Sequence, residues 1–254
     1  MPPCAKPSKT MKNQCVIKTE TKKAYVVENR TALTSAISTI TFELPDGSIP
    51  AYRPGQFINV YFPESGTPEG KAYSMSSAPS EGVMSITVRA IGQFSNRLCA
   101  LKECDTLVAS LPYGYFNSES EDSHLVMLAG GIGVTPFRSM IVESLHTDPS
   151  RKMSLFYSSR TNADLIFKKK FDELQEKHSH FDAHYFVTRE KPRHDPVEAG
   201  RMTAEKVLKG LRGYRKDQEF LICGSIPFVS DMWKGLRAGG VPEEAIYTEA
   251  FFSH

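Results

Sequence analysis

The stretch Leu128-Ala-Gly-Gly-Ile-Gly-Val-Thr-Pro-Phe137 decides the fold of the second half of the chain. It contains the end of an apolar run, His124 to Ala129, which is typical of a strand buried on both faces of a parallel sheet. Helical spacing begins at Pro136, and proline is tolerated in the first turn of a helix. Glycines between a buried strand and a helix indicate a backbone that passes close to another group. The pattern alone also fits a tight strand–helix turn without a ligand.

The chain after about residue 122 continues this alternation of strands and helices. Strands are predicted over residues 124–129, 153–157, 182–187, 219–223 and 245–248, and helices over 136–145, 167–177, 204–211 and 227–238. Such alternation predicts a doubly wound parallel sheet with helices on both faces.

The first half of the chain contains short β-branched runs separated by turn residues. They cover residues 25–27, 37–42, 57–62, 84–88 and 106–110. Many short strands at this spacing predict an antiparallel barrel or sandwich. The expected fold class is therefore α+β / α/β with two domains. We expect a flexible leader at 1–19, a first domain at 20–120 and a second at 121–254, joined by the polar residues 117–123.

Composition and charge exclude several functional classes. The chain has 254 residues and a net charge of +2, so no nucleic acid partner is expected. No apolar run approaches the roughly 20 residues of a spanning helix, and residues 1–15 lack the apolar core of a secretory signal, so neither is expected. Five scattered cysteines argue against a disulfide framework and for a reducing compartment, so we expect a cytoplasmic protein. No residues have the spacing of a metal site, and no metal is expected.

A further glycine follows another strand of the same predicted sheet. Cys223-Gly224 follows the strand that begins at Glu219, and ligands of doubly wound sheets bind beyond the carboxyl ends of the strands. The helix after the first glycines presents unpaired N–H groups that suit a pyrophosphate. A single ligand-binding crevice would explain why glycines follow both strands. The alternative for the second is a small buried cysteine beside a turn glycine.

The first half carries its own candidate binding residues. Tyr73 and Ser74 supply a flat face and a hydroxyl at a strand edge, and Lys71 can meet a phosphate. Ser95 and Asn96 lie at an expected helix start, which favours anions. A plain strand edge and a plain N-cap are the alternatives.

From about residue 20 to its end, the chain resembles the ferredoxin–NADP reductase-like flavoprotein oxidoreductases. The resemblance rests on motifs in a fixed order: P-G-Q-F at 54–57, Y-S-x-x-S at 73–77, G-x-x-S at 92–95, G-G-x-G-x-x-P at 130–136, C-G at 223–224 and E-A-F-F at 249–252. It implies an FAD-binding antiparallel β-barrel followed by a doubly wound NAD(P)-binding α/β domain.

The resemblance also implies roles for individual residues. Ser74 would lie near the flavin N5 atom, Cys223 near the nicotinamide and Glu249 beside the flavin, and we take these three as catalytic. The residues expected to bind the cofactors are Lys71, Tyr73, Ser74, Ser77, Val88, Gly92, Phe94, Ser95, Asn96, Gly130, Gly131, Gly133, Thr135, Pro136, Ser159, Arg160, Arg189, Cys223, Gly224 and Phe251.

Two departures from the family pattern affect these expectations. Lys71 replaces an arginine, and lysine cannot make the planar bidentate contact with a phosphate. FAD is therefore the expected flavin, with FMN as the less favoured alternative. Cys104-Asp105 replaces the usual Gly-Asp before the last barrel strand, so an altered turn is expected there.

The coenzyme could be NADPH or NADH. Ser159-Arg160 and Thr188-Arg189 follow middle strands of the second domain, with Lys191 and Arg193 close behind. Cations and hydroxyls at these places suit a 2′-phosphate, so the sequence slightly favours NADPH.

The implied activity is hydride transfer from NAD(P)H to FAD, followed by electron transfer to a separate protein. The acceptor could be ferredoxin, flavodoxin, an oxygenase component or a haem protein. No four-cysteine ferredoxin module flanks the two predicted domains, so an iron–sulfur partner is expected on another chain. Two alternatives remain: an electron-transfer subunit of a larger complex without independent turnover, and a non-enzymatic protein with a degenerate cofactor site.

Overall fold

A computed structural model describes residues 21–62, 67–118, 120, 122–190 and 197–251. The predicted leader, residues 1–19, lies outside the described residues, as do Lys191, Arg193 and Phe252.

The first half of the described chain forms a closed antiparallel barrel. Its elements are β1 (Lys22–Thr34), β2 (Ile37–Glu43), β3 (Phe57–Tyr61), β4 (Lys71–Ser74), β5 (Ser85–Arg89), helix α1 (Gln93–Cys99) and β6 (Thr106–Ser110). The order of these strands in the sheet is β4-β3-β6-β1-β2-β5. Met75, directly after β4, forms an antiparallel bridge with Ile86 of β5. This bridge joins the two edge strands, so the barrel rather than the sandwich is observed.

The barrel closes because alternate side chains of its strands point inward. In β2 the buried Ile40 and Phe42 alternate with partly exposed threonines, as expected for a strand with one buried face. Ile58, Val60 and Leu107 from β3 and β6 are fully buried in the same cluster. Each such side chain contributes about 1.5–3 kcal/mol through burial.

The turn before β6 places a cysteine in a backbone conformation that favours glycine. Cys104 has φ of +69°, the left-handed region that glycine enters most readily. The Asp105 carboxylate accepts a hydrogen bond from the Lys102 amide at 2.8 Å. A cysteine in this conformation places backbone strain at Cys104.

The second half of the described chain is a parallel sheet with helices. Its elements are β7 (His124–Gly130), a 3₁₀ turn (Gly131–Gly133), α2 (Val134–Thr147), β8 (Met153–Ser159), α3 (Lys168–Lys177), β9 (Phe181–Val187), β10 (Val197–Ala199), α4 (Ala204–Gly210), β11 (Gln218–Ser225), α5 (Ile226–Ala238) and β12 (Ile246–Phe251). The order is β10-β9-β8-β7-β11-β12, and all neighbouring strands are parallel. The direction of winding therefore reverses between β7 and β11, which is the switch point where ligands of such sheets bind.

Helices cover both faces of this sheet, as the apolar run at β7 predicts. Leu125 and Met127 pack in the cluster that includes α2 and α3, whereas Val126 and Leu128 pack in the cluster that includes α4 and α5. Several local details differ from the prediction, since β8, β11 and β12 each end two or three residues later than expected. Helix α2 begins at Val134 rather than at 136, and the short strand β10 was not predicted because it has only three residues.

The division into domains at residues 120 and 121 stays a prediction, although β6 ends at Ser110 and β7 begins at His124. Among the residues that the structure describes, no helix is both long enough and apolar enough to cross a membrane.

Candidate functional site

Three residues of neighbouring strands form a row at the switch point of the parallel sheet. Ala129 of β7 lies beside Cys223 of β11, and Cys223 lies beside Glu249 of β12. Ser74, at the end of β4 in the barrel, faces this row and donates a long hydrogen bond from its Oγ to Glu249 Oε2, at 3.4 Å. The structure thus brings together the three residues predicted to be catalytic, where the barrel meets the sheet.

The protonation states of this row follow from its burial. Burial raises the pKa of Glu249 to about 7, against a smaller lowering by the Ser74 hydroxyl. The carboxyl group therefore exists in both forms near neutral pH. Cys223 is fully buried, and burial raises the pKa of its thiol, with the nearby Glu249 adding to the effect. A protonated thiol is a poor nucleophile, so the geometry fits a packing role for Cys223.

The glycines at the strand ends mostly make room for protein. A Cβ on Gly130 or on Gly224 would lie 2.8 or 2.7 Å from the ring of Phe228, and one on Gly133 would lie 2.3 Å from a backbone oxygen of β11. Gly131 is different, because its φ is +57° and nothing lies within 4 Å of a Cβ built there. Of these four glycines, Gly131 is the one whose backbone faces open space.

The residues after the glycine loop are enclosed by the protein. Thr135 is 2% exposed and Pro136 is buried, both in the first turn of α2. Phe251 ends β12 beside Ser225 of β11 and is half-buried. Thr135 and Pro136 thus lie inside the protein at the switch point, whereas Phe251 keeps part of its surface exposed at the end of β12.

Aromatic and cationic side chains line the barrel side. The Tyr73 and Phe94 rings have their centroids 6.4 Å apart and their planes inclined by 20°. The Lys71 ammonium lies 5.5 Å from the centroid of the Phe94 ring. Burial raises the pKa of Tyr73, so its phenol is neutral at physiological pH. A half-exposed flat face thus lies beside Ser74.

The start of α1 is open to solvent, but the hydroxyl of its serine is already hydrogen-bonded to the protein backbone. Gly92 and Asn96 are exposed, and nothing lies within 4 Å of a Cβ built on Gly92. The Ser95 Oγ accepts hydrogen bonds from the amides of Ile91 at 2.9 Å and Gly92 at 3.1 Å. Ser95 therefore stabilises the loop, and the exposed backbone at Gly92 is the accessible part.

Two residues predicted to bind the cofactor, Ser77 and Val88, make their contacts within the barrel. The Ser77 Oγ pairs with the Tyr52 hydroxyl at 2.7 Å and accepts the Ser85 amide at 2.8 Å. Val88 is 1% exposed and packs in the barrel core. The structure gives both side chains protein partners.

The arginines predicted to select the coenzyme lie side by side. The Arg189 amide donates to the Arg160 carbonyl at 2.9 Å, and both side chains are exposed beyond the carboxyl ends of β8 and β9. Ser159 is buried, and its hydroxyl donates to the Asp164 carbonyl at 3.1 Å. The Glu190 carboxylate accepts the Asn162 amide and fixes the same loop.

Sequence reasoning missed the ion pairs that join the two halves. Arg138 of α2 pairs with Glu81 of the barrel, with a shortest distance of 2.6 Å, and Arg89 of β5 pairs with Asp164 at 3.4 Å. The partners are 57 and 75 residues apart in the chain, so no local spacing could have indicated them.

Comparison with known proteins matches both halves. Residues 24–118 match the family model of the oxidoreductase FAD-binding domain, and residues 127–234 match that of the oxidoreductase NAD-binding domain. The chain is 27% identical over 224 residues to one subunit of the 1,2-phenylacetyl-CoA epoxidase of Escherichia coli (strain K12), covering 84% of this chain and 63% of the relative. It is 32% identical over 175 residues to the plasma membrane-associated coenzyme Q6 reductase of Saccharomyces cerevisiae, covering 67% and 56%.

A solved structure shows the same fold over the full length of its chain. A ferredoxin NADP+ reductase from Neisseria gonorrhoeae with bound FAD and NADP superposes with a TM-score of 0.78 at 22% identity, covering 91% of this chain and 99% of that one. The two curated relatives are longer, since this chain spans 63% and 56% of their lengths. The two domain matches, in this order and on this fold, show that the chain belongs to the ferredoxin–NADP reductase-like flavoprotein oxidoreductases, with an FAD-binding barrel followed by an NAD-binding domain.

Proposed function

We propose that this chain is an NAD(P)H-dependent flavoprotein reductase that passes electrons to a separate redox protein. The observation that carries the proposal is the approach of Ser74 from the barrel to Glu249 at the switch point of the sheet. A cofactor held by each half would meet the other here. Holding two reactants in a well-oriented arrangement can lower the activation barrier of their reaction by about 7–11 kcal/mol at the limit.

The residues present fit a flavin with a diphosphate. Tyr73 offers a flat face, and Ser74 offers a hydroxyl beside it. Gly92 leaves exposed backbone at the start of α1 with open space around it, where a diphosphate could approach. Lys71 supplies a cation on the same side, without the bidentate geometry of arginine. We therefore propose FAD as the flavin, with FMN as the alternative.

The bound flavin would supply the redox chemistry, accepting a hydride from the nicotinamide and releasing electrons to the acceptor. The residues of the chain would orient the flavin and nicotinamide rings and would hold or release one proton. Ser74 would donate its hydroxyl toward the flavin N5 position, and Glu249 would hold or release a proton near pH 7 because of its raised pKa. Cys223 would pack beside the nicotinamide as a neutral thiol.

Open backbone at Gly131 would receive the coenzyme diphosphate, with Thr135 close to the nicotinamide end. The exposed Arg160 and Arg189 would bind a 2′-phosphate through charge-assisted hydrogen bonds. This supports the slight preference for NADPH over NADH.

For the acceptor we propose a ferredoxin, a flavodoxin, an oxygenase component or a haem protein. One relative is a subunit of an epoxidase, which favours an oxygenase component among these. The same relative supports a second candidate function, an electron-transfer subunit of a larger complex without turnover of its own.

The absorption spectrum of the purified chain tests the proposal. We expect flavin bands that bleach on anaerobic addition of NADPH, more readily than with NADH, and ferricyanide reduction by the isolated chain. Flavin bands that neither coenzyme bleaches would favour the subunit function. A colourless chain that takes up neither FAD nor FMN would disprove both functions and favour a degenerate site.

A further inference from the structure

The helix that follows the glycine loop is bonded directly to the barrel segment that follows Ser74. Arg138 of α2 donates from Nη1 to the Ser76 carbonyl at 2.7 Å and to Glu81 Oε2 at 2.6 Å. Its Nη2 donates to Glu81 Oε1 at 2.7 Å. One guanidinium therefore holds a backbone carbonyl and both oxygens of a carboxylate, a geometry that lysine cannot reproduce.

Further bonds on either side of Arg138 hold the same segment. The Ser139 hydroxyl donates to the Ser77 carbonyl at 2.5 Å, and the Ser80 amide donates to the Glu143 carboxylate at 2.8 Å. The two helix residues lie one position and five positions beyond Arg138. With Arg138 they attach one face of α2 to residues 76–81, a set of contacts that we call the interdomain clamp.

The ion pair at the centre of the clamp is largely buried. The Arg138 and Glu81 side chains are 17% and 25% exposed, and the guanidinium also lies 5.4 Å from the ring of Phe167. Burial raises the pKa of Glu81, but the hydrogen bonds from Arg138 and the Ala78 amide outweigh it, and the net shift is downward. Glu81 is thus held as a carboxylate that would be left without its cation if Arg138 were removed.

The place of the clamp in the chain connects it to the two half-sites. Ser76 comes two residues after Ser74, and Arg138 lies about one helical turn after Val134, where the glycine loop ends. A shift of α2 along the barrel would move Gly131 relative to Ser74 and would break the clamp. The clamp is therefore one of the contacts that hold the two half-sites at this spacing, beside the Ser74–Glu249 hydrogen bond and the Arg89–Asp164 ion pair.

We propose that Arg138 is a positioning residue that sets the distance between the coenzyme and the flavin, without touching either. This inference rests on the proposed function. Misplacement of reacting groups by 1 Å can reduce a rate by about 100-fold, so loss of the clamp is expected to slow hydride transfer to that extent. Flavin content and coenzyme affinity are expected to change little.

The first test uses the flavin-free protein and needs no activity. Arg138→Gln is expected to speed amide hydrogen exchange of residues 76–82 by about tenfold, because these amides gain access to water once the clamp opens. Arg237→Gln is the matched control, since the Arg237 guanidinium bonds a carbonyl, that of Val241 at 2.9 Å, within one domain. It should leave exchange in this segment unchanged. Unchanged exchange in Arg138→Gln would contradict the clamp itself.

The second test measures the single-turnover rate of flavin reduction in the FAD-loaded protein at saturating coenzyme. We expect about a 100-fold decrease in Arg138→Gln, a smaller decrease in Arg138→Lys and none in Arg237→Gln. If Arg138→Gln does not fold, the rate measured for Arg138→Lys tests the proposal by itself, because this variant keeps the charge and loses the bidentate geometry. A purely structural role would lower the melting temperature and leave this rate unchanged in the folded protein.

The two tests separate the inference from the proposed function. If neither coenzyme reduces the flavin of the wild-type protein, the proposed function fails, and so does the positioning role of Arg138. If the wild-type protein is reduced and the clamp variants are reduced at the same rate, only the positioning role of Arg138 is overturned.

Discussion

Replacement of Glu249 by glutamine is expected to change how the stability of the protein depends on pH. Burial raises the pKa of this carboxyl from 4.5 to about 7. The shift is about 2.5 pKa units, and at about 1.4 kcal/mol per unit it corresponds to about 3.5 kcal/mol. The folded protein binds this proton more tightly than the unfolded chain. The stabilisation is therefore complete below pH 4.5 and is lost as the pH rises through 7.

Urea unfolding of the flavin-free protein at pH 5 and pH 8 measures this effect. Glutamine is neutral at both values, so Glu249→Gln lacks the loss of stability that the wild-type protein shows. Other titrating groups are common to both proteins and cancel in the comparison. We expect the wild-type free energy of unfolding to fall by about 2.5 kcal/mol more than that of the variant between these pH values, because part of the effect is already lost at pH 5. Glu205→Gln, on the exposed side of α4, is the control and should behave like the wild-type protein.

The pKa can also be measured directly from the carboxyl ¹³C shift of labelled glutamate, assigned with Glu249→Gln. The hydrogen bond from Ser74 lowers this pKa, so Ser74→Ala is expected to raise it further. A Glu249 carboxyl that titrates near 4.5, or equal pH dependence of stability in both proteins, would refute the reasoning.

Four further outcomes are expected. Gly133→Ala should abolish folding or cost several kcal/mol in urea unfolding, because its Cβ would lie 2.3 Å from a backbone oxygen, whereas Gly131→Ala should cost only about 1 kcal/mol of backbone strain. Cys104→Gly should raise the free energy of unfolding by about 1 kcal/mol, since φ there is +69°. An unchanged free energy of unfolding would contradict backbone strain at Cys104. Ellman's reagent should modify the exposed Cys104 rapidly and the buried Cys223 only after denaturation. Arg189→Ala should weaken NADPH binding about tenfold in a fluorescence titration and leave NADH binding unchanged; equal losses would remove the proposed 2′-phosphate contact.

The sequence determined the local elements and their order. The apolar run of β7, the glycines and the helix that follows are each properties of a few neighbouring residues, so periodicity and turn chemistry predicted them. The order of motifs predicted the family and both cofactor-binding domains, and the domain matches confirm them. The predicted roles of Ser74, Cys223 and Glu249 stay predictions, although the structure brings the three together.

Only the tertiary structure decided what the glycine spacing is for. Gly130, Gly133 and Gly224 admit a phenylalanine ring and a neighbouring backbone, and Gly131 alone among these four faces open space. Sequence spacing shows that a Cβ is absent, but it does not show which atoms occupy the space.

The contacts between the two halves were also decided by the tertiary structure. Ser74 and Glu249 are 175 residues apart, and Arg138 and Glu81 are 57 apart. No local pattern joins such partners, because their meeting depends on how two separately formed cores pack against each other. The raised pKa of Glu249 has the same origin, since it comes from burial that exists only once barrel and sheet are in contact.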